Sequence, residues 1–192
     1  MEHKGTQTLT AKRLFLRPMT PSDAEEMYEN WAKDERVTKY LTWQPHTSPA
    51  NTKKVLESWM ESYKDDNYYH WGMVYEEKLI GAISVVRLDE RSEWAELGYC
   101  MGYDYWGKGL MTEAARCVID FLFSQVGVNR ITIEHATKNP ASGRVAQKCG
   151  MTHEGTKREY FKSAWGEFLD ISFWGILRKE WEAAKKQPPK GI

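Results

Sequence analysis

The chain has 192 residues, of which 41% are hydrophobic and 13% aromatic, values typical of one globular domain with a sizeable core. Its 27 Lys and Arg residues balance 27 Asp and Glu residues, so there is no net charge to attract nucleic acid or an anionic membrane. No run of 18 apolar residues occurs, which excludes a long apolar membrane-spanning segment.

The cysteines and the N-terminal residues bear on the cellular compartment. Cys100, Cys117 and Cys149 are odd in number and lack the spacing of a disulfide framework, so we expect free thiols in a reducing cytoplasm. The first eight residues contain no apolar segment of the kind found in signal peptides. Neither the cysteines nor the five histidines cluster as metal ligands do, so no metal is predicted.

Hydrophobic periodicity and helix-start signals predict the elements in chain order. A strand over residues 9–17 comes first, and two helices follow that begin at Thr20-Pro21 and Ser48-Pro49, where a hydroxyl precedes a proline. The later predicted elements are a hairpin of strands 68–75 and 79–88, a strand 93–101, a helix 110–126, a strand 130–136, a short helix capped by Asn139, and strands 152–161 and 167–177.

This order, β-α-α-β-β-β-α-β-α-β-β, places hairpins before a β-α-β unit. It predicts one α/β domain over residues 9–178, with a mixed, mostly antiparallel central sheet flanked by helices. Residues 179–192 are predicted as a charged C-terminal tail that frays.

A glycine-rich turn, Gly107-Lys108-Gly109, joins strand 93–101 to the long helix. Glycines let a backbone approach an anion closely, and the first N–H groups of a helix lack intrahelical partners. The helix dipole favours negative charge at the same end. The turn therefore predicts a site for a phosphate-bearing ligand, although a tight turn without a ligand is an alternative. It matches neither the Walker P-loop nor the dinucleotide-binding fingerprint.

Several motifs occur in an order and spacing that together carry a family resemblance. They are Arg13-Leu-Phe-Leu-Arg17, Ala95-Glu-Leu-Gly-Tyr99, Tyr105-Trp-Gly-Lys-Gly-Leu-Met-Thr-Glu-Ala114, Asn139-Pro-Ala-Ser142, Lys148-Cys-Gly-Met151 and Asp170 in the last strand. From Leu14 to about Leu177 the chain resembles the Gcn5-related N-acetyltransferases (GNATs), in the branch of the ribosomal-protein N-terminal acetyltransferases RimJ and RimL. The resemblance implies the GNAT fold and an enzyme that moves an acetyl group from acetyl-CoA to a primary amine.

The resemblance also implies where acetyl-CoA binds. The pyrophosphate would be held by backbone N–H groups of Trp106, Gly107, Lys108, Gly109 and Leu110. The pantetheine arm would pair, as an added strand does, with the strand backbone at Tyr99, Cys100 and Met101, and would contact Asn139. Asp104 departs from the family motif, which has Gln or Arg there, so its carboxylate must point away from the pyrophosphate.

Acetyl transfer requires a neutral amine, because a protonated nitrogen has no lone pair with which to attack. Glu96 lies on the strand that leads to the donor site and is the predicted general base. His135, on the neighbouring strand, is a second candidate.

The developing oxyanion and the leaving thiolate also need hydrogen-bond donors. The resemblance places a backbone N–H of Cys100 or Met101 at the oxyanion. Ala146 occupies the position where many relatives have a tyrosine acid, so the resemblance to RimL predicts Ser142 as the proton donor to sulfur instead.

The acceptor pocket is expected between the first two helices and the turn from Ser163 to Gly166, with Tyr40, Trp43, Trp71 and Trp165 as lining. The acceptor implied by the resemblance is the N-terminus of a protein, such as a ribosomal protein, and a small amine or an antibiotic is the alternative. A non-catalytic acetyl-CoA-binding module and a nucleotide-binding interaction domain are further alternatives. Relatives often dimerise, so a homodimer is one alternative for an oligomeric state that the sequence leaves open, whereas nucleic acid and membranes are not expected partners.

Overall fold

The computed structural model of the protein describes residues 1–186. Its strands are β1 (Leu9–Thr10), β2 (Leu14–Arg17), β3 (His70–Tyr75), β4 (Lys78–Asp89), β5 (Trp94–Met101), β6 (Arg130–Ala136), β7 (Thr152–Lys162) and β8 (Phe168–Leu177). Its helices are α1 (Ala24–Met27), α2 (Glu35–Thr38), α3 (Pro49–Ser62), α4 (Leu110–Phe121), α5 (Pro140–Lys148) and α6 (Arg178–Lys186). The strands form one sheet in the order β1-β2-β3-β4-β5-β6-β8-β7, which confirms the predicted single α/β domain with a mixed sheet. The limits predicted for the domain stay a prediction.

The predicted opening strand over residues 9–17 is wrong in one respect, because it is two strands. Leu9 pairs with Leu16 and Thr10 with Phe15, so β1 and β2 form a tight antiparallel hairpin. The backbone N–H of Ala11 donates to the carbonyl of Leu14 at 2.9 Å and closes the turn between them. Alternating apolar residues predicted extended backbone correctly but carried no sign of the reversal.

Both faces of the sheet are covered by helices. One core cluster joins α4 to strand residues that include Ile83, Leu97 and Ile133. A second cluster joins α1, α3 and the π-helical segment Tyr28–Ala32 that follows α1 to residues such as Ala82. Because Ala82 and Ile83 are neighbours on β4 and point to opposite faces, α4 and the α1–α3 pair lie on opposite sides of the sheet. We call these the α4 face and the α3 face.

The neighbouring strands β5 and β6 are parallel, and they pair over only four positions, from Trp94 opposite Arg130 to Leu97 opposite Ile133. Every other pair of neighbours is antiparallel. Beyond Leu97, β5 continues to Met101 and β6 to Ala136 without pairing to each other. The two strands therefore part into a gap in the middle of the sheet.

The C-terminal segment differs from the predicted fraying tail, because Arg178–Lys186 is helical. The Trp181 ring lies 5.3 Å from the Phe123 ring, and its indole N–H donates to the Asp120 carboxylate. Arg178 donates to the Phe123 carbonyl at 2.7 Å. These contacts hold the first turns of α6 on the end of α4, and the rest of the predicted tail, 187–192, lies outside the described residues. Within residues 1–186, no helix is both long and apolar enough to cross a bilayer.

Gly81 on β4 allows β5 to approach closely just where β5 borders the gap. A Cβ atom at this position would lie 2.4 Å from the Cys100 carbonyl oxygen and 2.8 Å from Met101 Cα. We expect Gly81→Ala to lower the free energy of unfolding by about 3 kcal/mol, because backbone atoms must shift to admit the methyl group. Denaturant unfolding of the purified variant measures this loss.

Gly166→Ala is the matched control. Gly166 has φ +83°, and no atom lies within 4 Å of the position that a Cβ would take, so a methyl group there meets open space. Only the left-handed backbone strain remains, which costs about 1 kcal/mol. Equal losses in the two variants would contradict the close approach at Gly81.

Candidate active site

The gap between β5 and β6 leaves backbone groups of β5 without a strand partner. The Gly102 N–H donates to the Ile80 carbonyl at 2.9 Å, so the backbone of Gly102 points toward β4. Because the direction alternates along a strand, the backbone of Cys100 also points toward β4, and those of Tyr99 and Met101 point into the gap. Of the three predicted pantetheine contacts, Tyr99 and Met101 therefore face the gap and Cys100 does not. The same argument favours Met101 over Cys100 as the donor to an oxyanion.

The glycine turn lies at the open end of this gap. Gly107 and Gly109 have φ of +77° and +75°, the left-handed conformation that favours glycine. Gly109 immediately precedes α4, whose first N–H groups point out of the helix end. The Trp106 indole N–H donates to the Met101 carbonyl at 2.7 Å and ties the turn to the end of β5. The side chain of Asp104 is exposed, which leaves it free to point away from this turn.

Arg13 holds the turn from outside, a contact that the sequence motif did not reveal. Its guanidinium donates to the Lys108 carbonyl at 3.2 Å and to the Glu113 carboxylate at 2.8 Å. The backbone N–H of Arg13 also donates to the Glu113 side chain. The start of β2 is thereby fixed to the first turn of α4.

The predicted acid lies across the gap from β5, at the start of α5. The Asn139 side chain accepts a hydrogen bond from the Ser142 N–H at 3.4 Å, so Asn139 caps the helix as expected. The Ser142 hydroxyl is 2.7 Å from the hydroxyl of Tyr99. Tyr99 had been predicted to contribute backbone groups, and its side-chain contact emerges only from the fold. Ala146 is fully buried and offers no hydroxyl.

Glu96, the predicted base, lies on the α3 face beside the point where the strands part. Its neighbours Ala95 and Leu97 belong to the core on the α4 face, so the Glu96 side chain points the other way. It is 7% exposed. Arg87 Nε lies 2.7 Å from Glu96 Oε2, and the same guanidinium donates to Glu134 at 3.1 Å.

The surroundings of Glu96 disfavour its charged form. Burial, followed by the negative charge of Glu134, raises the pKa of Glu96 to about 7, although Arg87 lowers it in part. The Glu96 Oε2 atom is close to Arg87 but has no well-aligned hydrogen bond among the described residues, and neither has the buried hydroxyl of Thr132, its partner in the β5–β6 register. A carboxylate with a pKa near neutrality and an oxygen open to a further hydrogen bond is suited to accept a proton.

The structure gives His135 a packing role. Its Nε2 atom accepts from the Trp174 indole N–H at 3.1 Å, and its Nδ1 atom lies 2.8 Å from the Ala136 carbonyl. A proton on Nδ1 satisfies both contacts. Burial lowers the pKa of His135, and a Cβ at Gly143 would lie 2.8 Å from its ring, so the imidazole is wedged against α5 with both nitrogens in use.

The thiols of Cys149 and Cys100 are held in their unreactive, protonated form. Burial raises the pKa of Cys149 to about 11 and that of Cys100 to about 12, so both stay protonated at neutral pH. All three cysteines are free. Within residues 1–186, no group of three His, Cys, Asp or Glu side chains is placed to hold a metal ion.

Three of the four predicted acceptor-lining aromatics lie around one region. Tyr40 packs on the small core formed by Ala136, Leu169 and Ile171, and Trp43 packs on the core of the α3 face. Trp165 is 48% exposed on the β7–β8 turn. The Gln44 side chain donates to the Ala164 carbonyl at 3.1 Å, so the segment before α3 touches that turn.

The prediction that Trp71 lines the acceptor pocket is wrong, because Trp71 lies outside this region. It is fully buried, its indole N–H donates to the Gln7 carbonyl at 2.6 Å, and its ring packs edge-on against Phe121 of α4. Alternation along β3 points Trp71 to the α4 face, away from the other three aromatics. Composition alone could not assign it to a face.

Two charged groups at the site, Arg87 and Glu134, were missed by the sequence analysis. They lie on β4 and β6, on either side of Glu96. Glu134 stands at an alternating position of the predicted strand 130–136, which signals a polar face, but only strand pairing brings it to Glu96.

The raised pKa of Glu96 predicts a pH-dependent cost in stability. A glutamate has an ordinary pKa of 4.5, so its burial is tolerated while it is protonated and stability falls as the pH rises toward its folded-state pKa of about 7. Since Gln resembles protonated Glu, Glu96→Gln should be more stable than the wild type at pH 8, by about 3 kcal/mol at most, and by only about 1 kcal/mol at pH 5. Denaturant unfolding at both pH values measures the difference.

Glu113→Gln is a control of opposite sign. Burial raises the pKa of Glu113, but hydrogen bonds from Arg13 outweigh burial and lower it overall, so its charge stabilises the fold above pH 4.5. Glu113→Gln should therefore lose stability at pH 8. A loss at pH 8 in Glu96→Gln as well would show that the Glu96 carboxylate is not held at a raised pKa.

Comparison with known proteins identifies the family. Residues 13–152 match the model of the acetyltransferase (GNAT) domain. The "Putative ribosomal N-acetyltransferase YdaF" of Bacillus subtilis (strain 168) is 30% identical over 177 residues, which cover 91% of this chain and 96% of that protein. The ribosomal protein uS5-alanine N-acetyltransferase of Escherichia coli (strain K12) is 27% identical over 181 residues, which cover 90% of this chain and 92% of that protein.

A solved structure of RimL, described as a ribosomal alpha-N-protein acetyltransferase in complex with coenzyme A, has the same fold. It superposes with a TM-score of 0.81 and 18% sequence identity, covering 89% of this chain and 98% of that one. The family model spans well over half of the sequence. The protein thus belongs to the acetyltransferase (GNAT) domain family of acyl-CoA-dependent N-acetyltransferases.

Proposed function

We propose that this N-acetyltransferase moves an acetyl group from acetyl-CoA to the free α-amino group at a protein N-terminus, in the cytoplasm. The observation that carries the chemistry is the gap between β5 and β6, with Glu96 on the α3 face beside it and Ser142 across it on the α4 face. The gap thus has a group suited to accept a proton on one side of the sheet and a hydroxyl donor on the other.

The features at the open end of the gap between β5 and β6 support acetyl-CoA as the acetyl donor. The left-handed glycines and the start of α4 present backbone N–H groups to a pyrophosphate. The backbone groups of Tyr99 that face the gap suit an extended arm carrying amide groups, which would pair as an added strand, whereas the Met101 carbonyl already accepts from the Trp106 indole. Asn139, at the start of α5, is the proposed side-chain contact to that arm.

The proposed reaction uses Glu96 on the α3 face first and Ser142 on the α4 face second. Glu96 removes a proton from the acceptor ammonium, and the neutral nitrogen attacks the thioester carbonyl, whose oxygen becomes negative and accepts the Met101 N–H. The carbon–sulfur bond then breaks with its electron pair on sulfur. The acceptor nitrogen, which becomes positively charged on attack, loses its second proton to water. Ser142 passes its hydroxyl proton to the sulfur and regains one from solvent, and Glu96 releases its proton to solvent, so the net products are the N-acetylated amine, the free thiol and one proton.

The names of relatives support the proposed acceptor class. The names of two relatives describe ribosomal substrates, and a polypeptide N-terminus needs an open approach to the base. Tyr40, Trp43 and Trp165 border that approach and can pack on the first side chains of an acceptor or on its ammonium group. The homodimer stays a prediction.

Thiol release from acetyl-CoA tests the acceptor class. The panel is a set of peptides with free N-termini, the same peptides N-blocked but carrying lysine, polyamines, and amine-bearing antibiotics. We expect release with free N-termini alone, and a loss of about 100-fold in kcat for Glu96→Gln, since general base catalysis contributes at least this much. Release with small amines only would contradict the protein acceptor, and donor binding without any turnover would favour a non-catalytic acetyl-CoA-binding module.

The pKa of Glu96 sets the expected pH profile of turnover. Because the carboxylate is the base, kcat/KM should rise with pH and level off above the Glu96 pKa of about 7. Arg87 lowers that pKa, so Arg87→Met should move the rising limb to higher pH. The matched control is Arg36→Met, since Arg36 pairs with Asp34 away from Glu96. If the rising limb of the kcat/KM profile stays at the same pH in Arg87→Met, Glu96 is excluded as the titrating base.

A further inference from the structure

The side chain of Tyr99 links the two edges of the gap. Tyr99 starts from β5, and its hydroxyl reaches the first turn of α5, 2.7 Å from the Ser142 hydroxyl and 3.3 Å from the Ser142 carbonyl oxygen. The ring packs on the main core of the α4 face. Tyr99 is therefore held at both ends, by a strand at its backbone and by a helix start at its hydroxyl.

The Ser142 hydroxyl has one hydrogen to donate, and this limits how Tyr99 and Ser142 can pair when a thiolate is present. A serine hydroxyl has one hydrogen and two lone pairs. If Ser142 gives its hydrogen to a sulfur atom, its oxygen can only accept from Tyr99. The 2.7 Å distance between the hydroxyls is well suited to this bond, whereas the contact to the Ser142 carbonyl is longer at 3.3 Å.

Tyr99 is suited to remain a donor throughout the reaction. Burial raises the pKa of the Tyr99 hydroxyl, although the hydrogen bond with Ser142 lowers it in part. The phenol therefore keeps its proton at neutral pH and does not compete as an anion for the serine hydrogen. Cys149, the nearby thiol, is itself held protonated by burial, which raises its pKa.

We propose that Tyr99 is a positioning residue that donates its hydroxyl hydrogen to Ser142 Oγ and thereby directs the single hydrogen of Ser142 at the sulfur of coenzyme A. This inference rests on the proposed function, because it assigns the serine hydrogen to the leaving thiolate. Tyr99 keeps its own proton. The arrangement replaces the tyrosine acid expected at Ala146 with a tyrosine from β5 that acts through a serine.

Kinetics of single and double variants test the proposal. Ser142→Ala should lower kcat about 100-fold, as expected for loss of an acid. Tyr99→Phe should lower kcat about fivefold, since it removes one hydrogen bond, and should leave KM for acetyl-CoA within about twofold. In the double variant, Tyr99→Phe should add no further loss to Ser142→Ala, because Tyr99 acts only through Ser142.

A second readout needs no acceptor. Coenzyme A is bound to the protein and its thiol is titrated by the ultraviolet absorbance of the thiolate. A hydrogen bond from Ser142 stabilises the thiolate and lowers the thiol pKa. Tyr99→Phe should raise the pKa of the bound thiol, Ser142→Ala should raise it further, and the double variant should equal Ser142→Ala. This titration decides the role of Tyr99 even if no amine in the panel is acetylated, an outcome that would count against the proposed function alone.

Tyr63→Phe is the matched control. The Tyr63 hydroxyl is also inside the protein, where it donates to the His70 carbonyl at 2.9 Å and accepts from the Met19 N–H at 3.1 Å, on the α3 side of the molecule. We expect Tyr63→Phe to lower stability without changing kcat or the bound-thiol pKa. The proposal is overturned if Tyr99→Phe changes neither quantity, or if its effects persist undiminished in the Ser142→Ala background.

Discussion

The parting of β5 from β6 after Leu97 is the constraint on which the rest of the site depends. A central strand of a sheet normally has both edges satisfied, and freeing one edge inside a domain leaves backbone groups that need another partner. Here that partner is proposed to be a ligand with amide groups of its own. The helices on both faces keep the strands in place although several ladder hydrogen bonds between them are missing, and Gly81 lets β4 hold β5 at close range on its other edge.

The sheet separates the proposed base, Glu96, from the proposed acid, Ser142, and the gap connects its two faces. Glu96 and Ser142 start from different elements and lie on opposite faces. If they lay side by side, the carboxylate could accept the hydroxyl hydrogen, and neither group would be free for substrate. With the sheet between them, each can act on one side of a thioester placed in the gap.

The two ends of the gap, the open end at the glycine turn and the closed end at Glu96, differ in how they affect negative charge. At the open end of the gap, the first backbone N–H groups and the dipole of α4 favour negative charge without deep burial, and Glu113 neutralises Arg13. At the closed end, burial dominates, and the pKa of Glu96 is held near neutrality by the balance between desolvation, Glu134 and Arg87. A carboxylate in such a setting reduces stability in its charged form, a frequent property of groups that serve as proton acceptors.

The sequence by itself determined the order and type of most elements, because periodicity, helix caps and glycines act locally. It also located the glycine turn, Glu96 and the Asn139–Ser142 helix start, and the family resemblance gave these residues their expected roles. Tertiary structure alone decided which face each strand residue occupies, and so removed Trp71 from the acceptor side and turned the Cys100 backbone toward β4. Strand register brought Arg87 and Glu134 to Glu96, and packing brought the Tyr99 hydroxyl to Ser142, since these partners are 9, 38 and 43 residues apart in the chain and no local signal joins them.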